Sequence, residues 1–247
     1  MDRKQAALLI KGYSFLAYSL LSSKVVNKAL NMMAYLDHRL LILLSMWHPD
    51  MECRKKLLRM RGIELPEHIW IDLGVWIEVT TPKAVVFEDY VKLAYGCNIL
   101  GHDAGLNCIY SDLPMQVPVT RIGYNSVIGS YSTITPGVTI GKYTGIAPGS
   151  VVTRDIPDFC LAGGNPARVI MDGEEIIKKW QEDMKVRPEI YYEHPNEHAA
   201  PSSPYDHLIT WRDEGIKIRD YRELRTGTPF DYLLDYQAMK KGEKGQD

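Results

Sequence analysis

A repeat of six residues constrains the fold of this chain more than any other feature of its sequence. Every sixth position of one segment carries a β-branched aliphatic residue: Ile122, Ile128, Ile134, Ile140, Ile146 and Val152. The residue after each is small, and the fourth residue after each, ending with Ile156, is mostly small or β-branched. This period fits neither an amphipathic helix, with about 3.6 residues per turn, nor a simple alternating strand.

A coil with three short strands per turn accounts for the period. Stacked coils align equivalent residues at the interstrand spacing of about 4.8 Å, so the aliphatic column fills a narrow interior and the small residues allow tight corners. Each coil buries its apolar face only against its neighbours, and several coils are therefore needed. The sequence predicts a mainly β protein: a left-handed parallel β-helix flanked by N-terminal and C-terminal α-helical segments.

The six-residue step also runs through an earlier part of the chain and is then interrupted. It is kept at Phe87, Leu93 and Ile99, and a further piece is expected at Leu65, Ile71 and Ile77. The interval from Ile99 to Ile122 is not a multiple of six. A loop must therefore leave the scaffold there, and loops on a rigid scaffold are where functional residues concentrate.

Helix signals flank the repeat. Asp50 is expected to cap a short helix that Gly62 ends, and Asp172 to begin another that runs through Lys185. A last amphipathic stretch is expected at 208–239. We therefore divide the chain into a helical N-terminal region (1–62), a β-helix (63–170) with an extruded loop (100–121), and a helical and loop C-terminal extension (171–247).

Apolar residues dominate two N-terminal segments, 8–21 and 40–47. Charged residues such as Lys11 and Arg39 interrupt this region, so no uncharged run approaches the roughly 20 residues needed to span a bilayer. We expect two amphipathic helices that pack on a partner subunit. Peripheral membrane contact through these helices is the alternative.

Composition excludes several classes of protein. The formal net charge is −2, whereas nucleic-acid binders usually carry a dominant basic surface, so no nucleic-acid partner is expected. The short basic run 54–56 is predicted to be a solvated helix face. The four cysteines show neither CxxC pairing nor zinc spacing, and Cys97 falls in the register of the core. Because the N-terminus shows no signal-peptide cleavage site, we expect a cytoplasmic protein with reduced thiols.

Several motifs of the repeat region resemble a known family. The loop contains Gly101-His102, the coils contain Pro136-Gly137-Val138-Thr139-Ile140-Gly141, and the exit reads Gly163-Gly164-Asn165-Pro166-Ala167-Arg168. The chain here resembles the hexapeptide-repeat acyltransferases, in particular the galactoside, maltose and polysaccharide O-acetyltransferase group. The resemblance implies a CoA-dependent acetyltransferase that uses acetyl-CoA as co-substrate, requires no metal, and acts on a saccharide or other small acceptor. It also implies a homotrimer with active sites at the subunit interfaces.

The same resemblance suggests individual site residues. The loop histidine of the group, a general base acting on an acceptor hydroxyl or amine, matches His102. The positions that contact the CoA thioester, its pantetheine arm and its nucleotide end match Ser130, Pro148, Thr153, Arg154 and Arg168. The two arginines suit the phosphates of CoA through charge-assisted hydrogen bonds, the alternative being surface ion pairs.

The residues themselves also favour His102 as the base. Acyl transfer from a thioester needs a base for the acceptor proton and donors for the developing oxyanion. An imidazole, with an unperturbed pKa of about 6.5, suits the first role, and His102 is the single histidine between His68 and His194. Asp103 is the carboxylate nearest in sequence and is a second catalytic candidate, or it braces the loop. Asp72 and Glu78 are the alternatives for orienting the histidine.

One stretch departs from the resemblance. Sugar acetyltransferases of this type carry an asparagine on an early coil, and residues 70–78 contain none. The acceptor therefore stays open, with a sugar-type hydroxyl or amine favoured. A carbonic anhydrase on this scaffold needs three histidine ligands to zinc, which a single histidine cannot supply, and the paired motifs of serine acetyltransferase are not found. The remaining alternative is a non-catalytic β-helix scaffold or oligomerisation protein.

Overall fold

Two short helices precede the β-helix. A computed structural model describes residues 38–193 and 200–220, together with Lys28; the predicted segment 8–21 lies outside these residues. Helix α1 spans His38–Trp47 and α2 spans Met51–Met60. Asp50 caps α2 by accepting the Cys53 N–H at 2.8 Å, and Gly62 follows its end with φ +86°, as predicted. Among the described residues, no helix is long and apolar enough to cross a membrane.

Three parallel sheets form the walls of the β-helix, and their strands alternate along the chain. Sheet A contains β1 (Trp70–Ile71), β4 (Lys92–Leu93), β7 (Val127–Ile128), β10 (Gly145–Ile146) and, paired at its end, β12 (Cys160–Gly164) and β13 (Ala167–Asp172). Sheet B contains β2 (Trp76–Ile77), β5 (Asn98–Ile99), β8 (Thr133–Ile134) and β11 (Val151–Val152). Sheet C contains β3 (Val85–Phe87), β6 (Thr120–Ile122) and β9 (Thr139–Ile140). Only the β12–β13 pair in these sheets is antiparallel. The predicted fold class, a left-handed parallel β-helix with flanking helices, is confirmed.

The predicted aliphatic column is the core. Its members between Ile122 and Val152 are each at most 3% exposed, and full burial of such a side chain contributes about 1.5–3 kcal/mol. Stacking explains the small neighbour of each aliphatic residue. A Cβ added to Gly141 would lie 2.4 Å from the Asp158 nitrogen, so glycine is needed where consecutive coils touch.

A second buried column occupies the corners and includes several polar residues. Ser126, Ser132, Thr144 and Ser150 are each at most 1% exposed. The Ser132 hydroxyl donates to the Ala147 carbonyl at 2.9 Å and accepts the Ser150 N–H at 3.2 Å. Small hydroxyl residues at the fourth position therefore satisfy backbone groups that a tight corner removes from the strand ladder.

The extruded loop leaves after β5 and returns at β6, which begins at Thr120. It contains a 3-10 turn at Gly105–Cys108, and its arms pair through two backbone hydrogen bonds of 2.9 Å between Asp103 and Gln116. The buried Thr120 hydroxyl donates to the Leu100 carbonyl at 2.6 Å. This bond fixes the base of the loop where it leaves the coil.

The chain beyond the β-helix forms one helix and a small strand pair. Helix α3 spans Gly173–Val186 and is capped by Asp172, as predicted. Strand β14 (Tyr192–Glu193) pairs with β15 (Arg219–Asp220). Between residues 208 and 220 the structure has turns and β15 in place of the predicted amphipathic stretch, whose remainder, 221–239, lies outside the described residues.

The basic run 54–56 differs from its prediction. Arg54 is 4% exposed and Lys55 is 5% exposed, so the interpretation as a solvated face is wrong for both. Arg54 donates to the carbonyls of His48, Pro49 and Ile71, and Lys55 pairs with Glu52 at 2.9 Å. Because α2 packs against the first coil, backbone carbonyls of the α1–α2 connection and of the coil take the place of water around the guanidinium.

Candidate active site

His102 stands at the base of the extruded loop and forms a hydrogen-bonded pair with a buried carboxylate. Its Nδ1 lies 2.8 Å from Oε2 of Glu78. The Glu78 side chain is 2% exposed, whereas that of His102 is 33% exposed. Glu78 follows β2 and His102 lies three residues after β5, and these strands pair with Ile77 opposite Ile99. Adjacent coils of sheet B therefore bring together two residues that are distant in sequence.

The Glu78 carboxylate accepts four hydrogen bonds, all from N–H groups. Oε1 accepts from the backbone of Thr80 at 2.6 Å and of Thr81 at 3.2 Å. Oε2 accepts from Gly101 N–H at 2.9 Å and from His102. Burial acts to raise the pKa of Glu78, but these four donors outweigh it, and the pKa lies below its usual value. The carboxylate is therefore ionised at neutral pH.

This arrangement sets the tautomer of the imidazole. An ionised carboxylate can only accept hydrogen bonds, so Nδ1 of His102 must carry a hydrogen. In the neutral ring Nε2 is then the basic nitrogen. A partly exposed imidazole with a fixed ring orientation and an available Nε2 is the arrangement that a general base requires.

The sequence also leaves Asp72 and Asp103 as candidate partners of His102, but both carboxylates contact backbone N–H groups instead. Asp72 Oδ1 accepts the N–H of its neighbour Leu73 at 2.7 Å. Asp103 Oδ1 accepts the Gly105 N–H at 2.7 Å. Both side chains brace local turns, and Glu78 is the residue that contacts His102. A catalytic role for Asp103 stays a prediction.

Sequence reasoning missed the backbone donors around Glu78. The signal that could have found one of them is the glycine before His102. A Cβ on Gly101 would lie 2.9 Å from Cγ of Glu78 and 3.0 Å from Cβ of Ala84. Glycine therefore allows the backbone N–H to approach the carboxylate. No comparable sequence signal marked Thr80 and Thr81.

The predicted CoA-contacting residues fall on two corners of one chain. Thr153 and Arg154 are exposed and follow β11, on the corner between sheets B and C from which the His102 loop also leaves. They lie two coils from that loop, or about 10 Å along the axis at the interstrand spacing.

Ser130 and Pro148 lie on the corner between sheets A and B, where the Ser130 carbonyl accepts the Gly149 N–H at 2.8 Å. The exposed Arg168 lies on β13 opposite Gly163, whose added Cβ would meet Ala147 at 2.8 Å. The face of sheet B thus separates Ser130, Pro148 and Arg168 from the His102 corner within one chain.

A metal centre and a thiolate nucleophile are two other chemistries to compare with the described residues. Within them, no group of three or more His, Cys, Asp or Glu residues could hold a metal ion. Cys97 is fully buried, as predicted, and burial raises the pKa of its thiol to about 12. It is a small core residue and not a thiolate nucleophile.

Comparison with known proteins agrees with this architecture. Residues 120–154 match the family model described as bacterial transferase hexapeptide (six repeats). The predicted resemblance to hexapeptide-repeat transferases is confirmed. The match covers the coils on which the sixfold column is most regular.

Known proteins are similar to parts of this chain. The galactoside O-acetyltransferase of Escherichia coli is 29% identical over 166 residues, covering 58% of this chain and 81% of that protein. The Saccharomyces cerevisiae protein YJL218W is 46% identical over 89 residues, or 36% of this chain, which spans only 45% of the yeast protein's length. Among solved structures, a maltose O-acetyltransferase from Clostridium difficile 630 has a TM-score of 0.43 and 29% identity, covering 54% of this chain and 83% of that one.

Proposed function

We propose that this protein is a CoA-dependent acyltransferase that moves an acetyl group from acetyl-CoA to a hydroxyl or amine of a sugar-type acceptor. The observation that carries the proposal is the 2.8 Å pair between Glu78 and the loop histidine His102. The similarity to galactoside O-acetyltransferase supports the acetyl group and the sugar-type acceptor.

In the proposed reaction, Nε2 of His102 removes the proton of the acceptor hydroxyl or amine. The acceptor oxygen or nitrogen forms a bond to the thioester carbon, and the carbon–sulfur bond breaks. The departing CoA thiolate takes the proton from the imidazolium, which restores the base. Glu78 stays ionised throughout, and its carboxylate therefore stabilises the imidazolium and holds the ring in one orientation.

The acyl donor is proposed to lie where two copies of the chain meet. Ser130, Pro148 and Arg168 would line it from one copy, and Thr153, Arg154 and His102 from the neighbouring copy. The separation of these two groups by the face of sheet B supports this arrangement, because neither corner alone holds all the predicted contacts. A homotrimer has three such seams and therefore three equivalent sites.

Thiol release from acetyl-CoA across a panel of sugars, nucleotide-sugars and amino acids tests the proposal. Changing His102 to alanine should lower kcat by about 10²–10⁴-fold, the usual contribution of a general base. The variant should keep the wild-type oligomeric mass and thermal unfolding temperature, since His102 is partly exposed. Full activity in this variant refutes His102 as the base. Absence of acetyl-CoA, CoA and longer acyl-CoA binding by calorimetry favours a non-catalytic scaffold.

A further inference from the structure

Arg61 is a buried cation at the end of α2, and one of its three side-chain hydrogen bonds goes to the backbone carbonyl of Glu78. Its Nη2 donates to the carbonyl of Ile77 at 2.5 Å and to that of Glu78 at 3.1 Å. Its Nη1 donates to Oγ of Ser45 at 2.8 Å. Arg61 is 9% exposed and Ser45 is 1% exposed. The guanidinium therefore joins α1, the end of α2, the last residue of β2 and Glu78, which follows it.

A charge in this position is costly. Burial lowers the pKa of Arg61, and the nearby negative charge of Glu78 only partly opposes that effect. Removing a guanidinium from water is unfavourable, and apolar residues of similar volume are often at least as stabilising. Core stability alone is therefore a poor explanation for an arginine here.

The position of Glu78 in the coil gives a second explanation for a buried arginine at position 61. Its N–H donates to Ile99 at 3.0 Å, which is the last bond of the β2–β5 ladder before the chain turns away. Its carbonyl accepts from Arg61 in place of a strand partner. The same residue must aim its carboxylate at His102, and a misplacement of about 1 Å in an active site can reduce rate by about 10²-fold.

We propose that Arg61 is a positioning residue, which fixes the backbone from which Glu78 orients His102. This inference rests on the proposed function. Arg61 does not touch the imidazole and acts only through Glu78. Ser45 fixes the guanidinium in turn, because its hydroxyl also donates to the Ile42 carbonyl at 2.7 Å. The N-terminal helices thereby become part of the support of the active site.

Arg54 provides a matched control on the same face of α2, seven residues earlier. It is 4% exposed and also donates to backbone carbonyls, including that of Ile71 at 2.8 Å. Ile71 ends a strand of sheet A, away from the His102 corner. Loss of Arg54 should therefore disturb the packing of the helix on the coil without disturbing the catalytic pair.

The test compares Arg61→Met, Arg61→Lys and Arg54→Met by thiol release and thermal unfolding. Arg61→Met should lower kcat by about 10–100-fold and change the KM for acetyl-CoA less than about twofold. Arg61→Lys keeps the charge without the planar fork, so its kcat should fall between those of Arg61→Met and wild type. It also serves as the test variant if Arg61→Met does not fold. Arg54→Met should lower the unfolding temperature with kcat within about threefold of wild type; if it does not fold, Arg54→Lys replaces it.

A double-mutant cycle with Glu78→Gln distinguishes positioning from general destabilisation. If Arg61 acts through Glu78, changing Arg61 in the Glu78→Gln background should alter kcat by less than about threefold, because coupled residues are not additive. Two results would overturn the inference while leaving the proposed function intact. The first is a double variant whose kcat loss equals the product of the losses in the Arg61 and Glu78 single variants. The second is an equal kcat loss in the Arg61 and Arg54 variants. A folded wild-type chain without acetyl transfer would overturn the proposed function, and the inference with it.

Discussion

Replacing Glu78 by glutamine keeps the shape of the side chain but removes its charge and half of its acceptor capacity. The carboxylate accepts only from N–H groups, two at each oxygen. An amide has one accepting oxygen, and its NH₂ group can only donate. In one orientation the NH₂ group faces the N–H groups of Thr80 and Thr81 and leaves both unpaired. In the other it faces the Gly101 N–H and Nδ1 of His102, and only the Gly101 N–H stays unpaired, because the imidazole can move its hydrogen to Nε2 and accept.

The structure sets the size of the expected effects on stability and on catalysis. A buried donor left without a partner costs about 1–3 kcal/mol, so the one or two donors left unpaired should reduce the free energy of unfolding by about 1–6 kcal/mol. Glu78 is 2% exposed, so solvent relieves little of this cost at the buried Gly101 N–H and more of it at the exposed Thr80. If the amide NH₂ faces Nδ1 of His102, it favours the tautomer with the hydrogen on Nε2. That ring cannot act as a base through Nε2, and kcat should fall by about 10²–10⁴-fold.

Urea unfolding and steady-state thiol release measure the two effects on one preparation. Glu88→Gln is the matched control, because the Glu88 side chain is 47% exposed, accepts the Tyr124 N–H at 3.0 Å and lies 3.8 Å from Nζ of Lys142. Its unfolding free energy should change by less than about 0.5 kcal/mol. Wild-type kcat in Glu78→Gln would refute the orienting role of Glu78. Wild-type stability would refute the argument from unpaired donors.

Two further predictions concern acid stability and coil packing. Because the folded pKa of Glu78 lies below its usual 4.5, the contribution of its ionisation to stability is complete above pH 4.5 and is lost as the pH falls through the folded pKa. The free energy of unfolding, measured against pH, should therefore decline more steeply below pH 4.5 in wild type than in Glu78→Gln. Parallel curves for the two proteins would contradict this prediction. Gly141→Ala places a Cβ 2.4 Å from the Asp158 backbone, whereas Gly149→Ala meets no atom within 4 Å and bears only the strain of φ +69°. Calorimetry should show that the free energy of unfolding falls by more than about 2 kcal/mol in the first variant and by about 1–2 kcal/mol in the second. Equal decreases in the two variants would contradict the packing argument.

The parts of the site that the sequence predicted are those set by local pattern. The break in the sixfold count after Ile99 marks the loop, and the loop contains a single histidine, so His102 could be named from the chain alone. The partner of that histidine could not be chosen among Asp72, Glu78 and Asp103. That choice depends on which residues of neighbouring coils face each other, and sequence distance carries no such information.

The buried arginines Arg54 and Arg61 show a second feature that sequence pattern does not reveal. A cation near a helix end usually lies in water, and the sequence predicts a solvated face for the basic run 54–56. Packing of α2 on the first coil instead surrounds Arg54 and Arg61 with backbone carbonyls. Burial of a charge is a property of the assembled interface, because the acceptors come from residues many positions away.

The sequence by itself determined the β-helix, since a period of six leaves no other regular way to bury one aliphatic residue per strand. It also determined where that helix is interrupted and which histidine the interruption carries. Only the tertiary structure decided that Glu78 orients His102 and that Arg61 supports Glu78. The physical reason is that these contacts join different coils and helices, and their geometry exists only once the coils have stacked and α2 has packed against them.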